Sequence, residues 1–285
     1  MAIIKDSAPA KINLTLHVTG QRSDGYHLLD SLVVFAGICD EITATIAPDL
    51  QIKVGGPFAM GVPTDDTNLI MRAAYALRAA RGVTLGAHLT LEKNLPHAAG
   101  IGSGSSDAAM ALSMLAALWD VEPLSPKAPE VIALGADVPV CMKAPSPIRM
   151  EGIGERLTLW PALPDCALVL VNPMVDVPTG AVFAGLKSKK NASMGTLPAA
   201  MDFDKFASWL SQQRNDLQAP ARNIAPQVDD ALKALGRMPQ VVHAGMSGSG
   251  ATCYGLVRTI GDARQVARTL QVGNMGWWVA PAPLL

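Results

Sequence analysis

The chain is poor in charge. Only 16% of its 285 residues are Asp, Glu, Lys or Arg, and the formal net charge is -1. Without a field of one sign, neither nucleic acid nor an anionic membrane surface is an expected partner, and any phosphate must be gripped locally. Long apolar runs are missing too. The longest, residues 108–119 with Ser113 inside it, falls well short of the ~20 residues that cross a bilayer, so no membrane helix is expected. Lys5 and Asp6 stand where a secretory leader needs its apolar region, which makes the expected location cytoplasmic. Cys39, Cys141, Cys166 and Cys253 contain no Cys-x-x-Cys pair, and the five histidines no His-Glu-x-x-His. Metal-ligand spacing is therefore absent, and the cysteines are expected to be reduced. What the chain has in plenty is core and turn material, with 49% hydrophobic residues, 25 glycines and 21 prolines. Disorder is excluded, and the length suits two domains of about 140 residues each.

Residues 11–18 alternate without a fault, Ile12, Leu14, Leu16 and Val18 on one face and Lys11, Asn13, Thr15 and His17 on the other, which predicts a half-buried strand. Further strands are expected at 28–35, 40–46 and 88–92, with helices over 68–81 and 106–119. A short helix at 129–134 stops at Gly135, and residues 138–141 beyond it read as extended. The pattern restarts near residue 152 with a strand at 167–171, helical stretches at 203–213 and 226–235, a strand at 240–244 and a second glycine-serine turn at 245–251. Asp262 is the expected cap of a last helix. Residues 187–198, rich in lysine, read as an exposed connection. The expected domains are 1–152 and 153–285.

The stretch with most chemistry in it is Gly-Ile-Gly-Ser-Gly-Ser-Ser at 100–106, leading straight into a helix. Glycines admit a ligand close to the backbone, and the free N–H groups and positive dipole end of a helix receive phosphate oxygens. The plain alternative is a flexible turn capped by Ser105 or Ser106. A Walker A loop is excluded because no Gly-Lys-[Ser/Thr] closes it. A dinucleotide fold, with Asp120 on the ribose, fits poorly. The spacing is Gly-x-Gly-x-Gly, and Asp120 directly follows the same helix. Lys11 and Asn13, two apart on one strand face, can reach one ligand, although a strand lysine is ordinarily a solvated edge charge. Asp137, just past a helix end, is ordinarily a turn former.

Six segments then fall into one order: Pro-Ala-Lys-Ile-Asn-Leu at 9–14, Asp-Gly-Tyr-His at 24–27, the loop into the helix at 100–109, Gly-Ala-Asp-Val-Pro at 135–139, Asn-Asp-Leu-Gln at 215–218 and Gly-Ser-Gly-Ala at 248–251. In this order and over nearly the whole chain, the sequence closely resembles the GHMP kinase superfamily. The resemblance implies an α+β, two-domain fold, with an N-terminal ribosomal protein S5 domain 2-like part, a C-terminal ferredoxin-like α/β sandwich, and an active site in the interdomain cleft. It implies a cytoplasmic kinase using ATP and Mg2+ on a small alcohol, as a monomer or weak homodimer. The Asp-Gly-Tyr-His turn points within the superfamily to members acting on CDP-methylerythritol, phosphorylating its 2-hydroxyl on the non-mevalonate route to isoprenoid precursors. A kinase of another alcohol (homoserine, mevalonate or a sugar) is the alternative. A non-catalytic relative would be expected to have lost the lysine or the aspartate.

Position by position, the resemblance implies that Asp137 takes the proton from the attacking hydroxyl with Lys11 beside it. Pro96, His97, Ala98, Ala99, Gly100, Ile101, Gly102, Ser103, Gly104, Ser105 and Ser106 are to surround the phosphates, with Asn68 and Lys93 near the adenine or ribose. Asn13, Tyr26, His27, Thr179 and Phe183 are to bind the other substrate, Phe183 sandwiching its base against Tyr26. The alternative for Phe183 is an ordinary core aromatic. Departures from the family pattern fall at His97, often methionine, at Ala98 and Ala99, in a lead-in usually richer in glycine, and at Ser103. Serine would strain the loop if position 103 needs φ > 0.

Overall fold

The computed structural model describes residues 3–195 and 201–285. Among them the elements run β1 (Ile3–Asn13), β2 (His17–Gln21), β3 (His27–Ala47), β4 (Gln51–Gly55), α1 (Leu69–Arg81), β5 (Gly86–Glu92), α2 (Ser103–Leu118), α3 (Pro129–Leu134), α4 (Val138–Cys141), β6 (Ile148–Gly152), β7 (Arg156–Leu159), β8 (Ala167–Asn172), α5 (Thr179–Ala184), α6 (Phe203–Ser211), α7 (Gln218–Ile224), α8 (Gln227–Gly236), β9 (His243–Met246), β10 (Cys253–Val257), α9 (Ile260–Gly273) and β11 (Trp278–Pro283). No helix among the described residues is long and apolar enough to cross a membrane.

The chain forms two compact units built from interleaved segments. One takes the residues up to 11, 39–97 and 102–144. In it β5 pairs in parallel with β4 and antiparallel with the second part of β3, from Glu41 opposite Glu92 to Ala47 opposite Gly86. Ala87, Leu89 and Leu91 of β5 are buried while His88, Thr90 and Glu92 are exposed, the alternation of a one-sided strand. Helices α1 and α2 pack together. Asn68 caps α1 by accepting the Ile70 N–H at 2.9 Å, and Gly82 closes it in the left-handed conformation. Alanines let α2 bury most of its circumference, as a core helix must.

The other unit takes residues 12–38, 98–101 and 145–285. There β2 and β6 each pair antiparallel with the first part of β3, and β7 pairs with β6. A separate four-stranded antiparallel sheet has the order β11-β8-β10-β9. β8 is buried along its whole length, which is why its sequence is a continuous apolar run rather than an alternation. Val169, Val171, Val228, Leu235, Val266 and Leu270 share one core there, drawn from β8, α8 and α9.

Several elements differ from expectation for identifiable reasons. The strand expected at 11–18 is two strands, β1 ending at Asn13 and β2 starting at His17, and both of its faces are buried. Residues 28–35 and 40–46 belong to one continuous strand, β3. Residues 138–141 are a helical turn, not extended. Pro139 sits in the first turn, where its missing N–H costs nothing. α9 is capped by Thr259, with Asp262 completing a reciprocal capping box three residues on. The connection expected over 187–198 is described only to residue 195, and it is not wholly exposed. Met194 is buried, and its N–H donates to Asp30 at 2.8 Å.

Candidate active site

Lys11 lies near the end of β1 with its side chain 4% exposed, and its Nζ is 2.7 Å from Asp137 Oδ2. The partner comes from the chain after α3, turned by Gly135 at φ 154 and ψ 153, a backbone region open essentially to glycine alone. Asp137 holds the cap position of α4, yet its side chain caps nothing. Its carboxylate is directed at Lys11, and its 35% exposure leaves one side of the pair open. Neither the solvated edge lysine nor the ordinary turn aspartate describes these residues.

The start of α2 lies against the same lysine. Gly102, at φ 57, is the cap position, has no side chain to cap with, and is followed by a first turn free of acidic residues. The Ser106 N–H finds the Gly102 carbonyl at 2.9 Å, which leaves the amides of Ser103, Gly104 and Ser105 as the free donors at the head of a 16-residue helix. A Cβ placed on Gly102 would meet Lys11 Cε at 3.1 Å, whereas one on exposed Gly104 would meet nothing within 4 Å. Unsatisfied amides, a neighbouring ammonium and open space at a glycine suit the oxygens of a phosphate chain.

The helix therefore starts at Ser103 rather than 106, and neither Ser105 nor Ser106 caps it. Ser103 donates to the Pro96 carbonyl at 3.3 Å and Ser106 to that of Pro9 at 2.7 Å. The turn is thus fixed by contacts distant in sequence. Ser103 has ordinary helical backbone. The left-handed residues are Ala98 (φ 52), Gly100 (φ 75) and Gly102, so the strain feared at 103 falls on Ala98. His97 is exposed, its Nε2 3.1 Å from the Met60 carbonyl. Asn68 caps α1 with its oxygen and donates to Pro63 with its nitrogen. Lys93 is buried, its ammonium 2.5 Å from Asp40 and 2.6 Å from Asp107. The side chains of Asn68 and Lys93 thus make internal contacts, where contact with adenine or ribose was expected.

In the other unit, Asn13 is buried, donates from Nδ2 to Ser31 Oγ at 2.8 Å, and keeps Oδ1 without a partner. Its backbone N–H goes to Ser247 Oγ, which itself donates to the Gly100 carbonyl at 2.9 Å. Asn215 donates to the carbonyls of Met246 and Gly248 and so holds the 245–251 turn in shape. Ala99 is buried, its carbonyl taking the Thr252 N–H at 3.1 Å, and Ile101 is buried beside it in sequence. The His27 ring stacks on Phe183, with centroids 4.7 Å apart. Burial first, then the charge of Lys189, lowers the His27 pKa, which favours the neutral ring, and its Nε2 is unpartnered among the described residues. Phe183 is half-buried rather than a core residue, and Tyr26 is 61% exposed with no ring partner among the described residues. Thr179 is exposed at the start of α5, 2.8 Å from Ser249 Oγ.

The family model described as the GHMP kinases N terminal domain matches residues 68–146, and that described as GHMP kinases C terminal matches 196–272. The 4-diphosphocytidyl-2-C-methyl-D-erythritol kinase of Dinoroseobacter shibae is 52% identical over 279 residues, 97% of this chain and 93% of its own length. The chain belongs to the GHMP kinases. The kinase of the same name from Ruegeria pomeroyi is 50% identical over 285 residues, covering 99% of both chains. A crystal structure of 4-(cytidine 5'-diphospho)-2C-methyl-D-erythritol kinase matches this GHMP kinase with a TM-score of 0.77 and 30% identity over 99% of each chain. The homoserine kinase of Cytophaga hutchinsonii, at 17% identity and a TM-score of 0.68 over 100% of this chain and 95% of its own, shares the fold.

Some residues that shape this GHMP kinase's site were invisible beforehand. Asp40 and Asp107 were not singled out in the sequence, and only their burial against Lys93 sets them apart. Ser31 and Ser247 gave no signal beyond, for Ser247, a place in a glycine-serine turn.

Proposed function

We propose that this GHMP kinase transfers the γ-phosphoryl group of ATP to the 2-hydroxyl of 4-diphosphocytidyl-2-C-methyl-D-erythritol, on the non-mevalonate route to isoprenoid precursors. The observation that carries the chemistry is the Lys11–Asp137 pair at 2.7 Å, with Lys11 against Gly102 at the head of α2. The alcohol is chosen from relatives about half identical over nearly their whole length. Asp137 accepts the proton of the attacking hydroxyl on Oδ1, the oxygen without a protein hydrogen bond. Lys11 holds Asp137 in place and offsets charge gathering on the attacking oxygen. The amides of Ser103, Gly104 and Ser105, with residues 96–102 around them, hold phosphate oxygens. Phosphoryl transfer asks mainly for such positioning and charge stabilisation.

Mg2+ would come with the nucleotide and be held chiefly by its phosphates. Bound there, it neutralises phosphate charge. Asn13, through its open Oδ1, and Thr179 orient the alcohol. Tyr26, His27 and Phe183 take the cytosine, the rings by stacking and His27 by hydrogen bonding as a neutral imidazole with one donor and one acceptor. Residues 1–152 and 153–285 are the two kinase domains, a division supported by the family matches on either side of it. The enzyme works in the cytoplasm.

The test is ADP release with the cytidine compound, homoserine and mevalonate as acceptors, on wild type and Asp137→Asn. The cytidine compound should be strongly preferred, and Asp137→Asn should lose on the order of 10²- to 10⁴-fold in kcat while still binding ATP. Equal turnover of all acceptors would remove the substrate assignment. An unimpaired Asp137→Asn would remove the mechanism.

A further inference from the structure

We propose that Asp40, Lys93 and Asp107 form a buried positioning device for the phosphate-binding turn, and that Lys93 acts on the nucleotide only through it. The inference rests on the kinase reading above. Lys93 follows β5 directly. Its Nζ sits between Asp40 Oδ2 at 2.5 Å and Asp107 Oδ2 at 2.6 Å, and no side chain of the three is more than 4% exposed. The second oxygen of Asp40 receives the N–H groups of Asn94 at 2.6 Å and Leu95 at 2.9 Å, the residues that lead into Pro96. Asp107 is on α2, four residues past Ser103, about 6 Å along the axis from the first free amide. One ammonium therefore grips both flanks of the turn, the strand that enters it and the helix that leaves it. Next to Asp107, Ser106 ties the same helical turn to Pro9, two residues before Lys11 on β1. Any shift of α2 along its axis would move the free amides and Lys11 out of register together.

Stability alone is a poor reason for this arrangement. Three charged groups taken out of water pay a desolvation cost that well-packed apolar side chains avoid, so a buried ion cluster is weak evidence for stability and better evidence for a fixed geometry. Here an apolar triple would also strand the Asn94 and Leu95 amides. Two carboxylates face one ammonium, and burial raises the Asp107 pKa, against the pull of Lys93 and with the push of Asp40. Asp107 Oδ1 is buried without a partner, so no donor there favours its ionised form. A protonated Asp107 has the shape and charge of asparagine, which makes Asn the substitution able to keep the device intact.

The experiment measures KM for ATP, KM for the alcohol, kcat and melting temperature on the full-length chain for wild type, Asp107→Asn, Asp107→Ala and Lys93→Met. Asp107→Ala and Lys93→Met should each raise KM for ATP about tenfold or more, with KM for the alcohol within about twofold, and Asp107→Asn should restore KM for ATP to within about threefold of wild type. Two results would overturn the proposal. Lower melting temperatures with unchanged kinetics would leave the cluster merely structural. A raised KM in Lys93→Met but not in Asp107→Ala would mean that Lys93 touches the nucleotide directly. Should the truncations not fold, amide exchange on wild type decides, because Asn94 and Leu95 held by Asp40 should exchange at least about a hundredfold slower than an open loop. Loop-like exchange there sinks the device. Wild-type chain that releases no ADP with any acceptor defeats the kinase reading instead, whereas active wild type with indifferent variants defeats only this inference.

Discussion

His243 takes no part in the proposed chemistry, yet its burial sets how the chain responds to acid. It opens β9, packs near the Tyr254 ring at 5.9 Å, and burial lowers its pKa from 6.5 to about 4. The unfolded chain then binds a proton that the folded chain refuses between these values, so stability present above pH 6.5 is lost as pH falls towards 4. The full loss is on the order of 3 kcal/mol. Replacing the ring with Gln should flatten the dependence of unfolding free energy on pH between 5 and 6.5, as read by urea titration. An unchanged slope would mean the ring is already hydrated. At this scale the sequence spoke unevenly. Asp137 was recognisable from its motif, and its side chain proved free of local duties. Lys93 was expected near the nucleotide from the resemblance alone, its partners lie 53 and 14 residues away, and nothing along the chain announces that they are buried with it.

Across the turn before α2 and the helix's first residues, three glycines in alternate positions have different reasons to be glycine, and their substitution separates stability from rate. A Cβ on Gly100 would stand 2.6 Å from the Ser247 carbonyl and 2.7 Å from that of Gly250, both backbone atoms that cannot swing aside. Gly100→Ala should therefore cost several degrees in Tm, left-handed strain of about 1–2 kcal/mol adding to the collision. The nearest atoms to a Cβ on Gly102 belong to the Lys11 side chain, which can move, but only by leaving its place against the helix start. Gly102→Ala should show the strain alone in Tm and lose about tenfold or more in kcat. Gly104 is helical and unobstructed, so alanine there should stabilise α2 by up to about 1 kcal/mol while hindering phosphate and raising KM for ATP. Differential scanning calorimetry alongside ADP release gives both readings, and equal Tm losses at 100 and 104 would contradict the geometry. Elements whose apolar period matched their environment were readable in advance, α1 and α3 nearly to the residue. Those decided by tertiary contact were not. The alternation at 11–18 implied a wet face, but the polar residues on it are buried in hydrogen bonds, and the first turn of α2 forms on glycine and serine because Pro9 and Pro96 supply partners.

Over the whole molecule, the order of motifs was legible because each is contiguous, whereas the compact units were not, since residues 12–38 and 98–101 pack with a segment that begins only at 145. The four thiols offer a way to follow both units. Cys39 and Cys141 belong to one, Cys166 and Cys253 to the other, and all are free. Burial raises the pKa of each, that of Cys166 to about 12, and Cys39 is additionally held up by the charge of Asp40. Only the thiolate reacts with a disulfide reagent, so a buried, protonated thiol must wait for its surroundings to open. Cys39 is half-exposed and should label first, slowly for a surface thiol. Cys141, Cys166 and Cys253 should label at least about a thousandfold more slowly than in denaturant, because their exposure requires opening events that cost several kcal/mol. Mass spectrometry of the labelled chain identifies each site. Labelling of Cys141 as fast as Cys39 would mean that α4, which it ends and which Asp137 begins, opens without the rest of its unit, and the Lys11–Asp137 pair would then be too loosely held to serve as drawn.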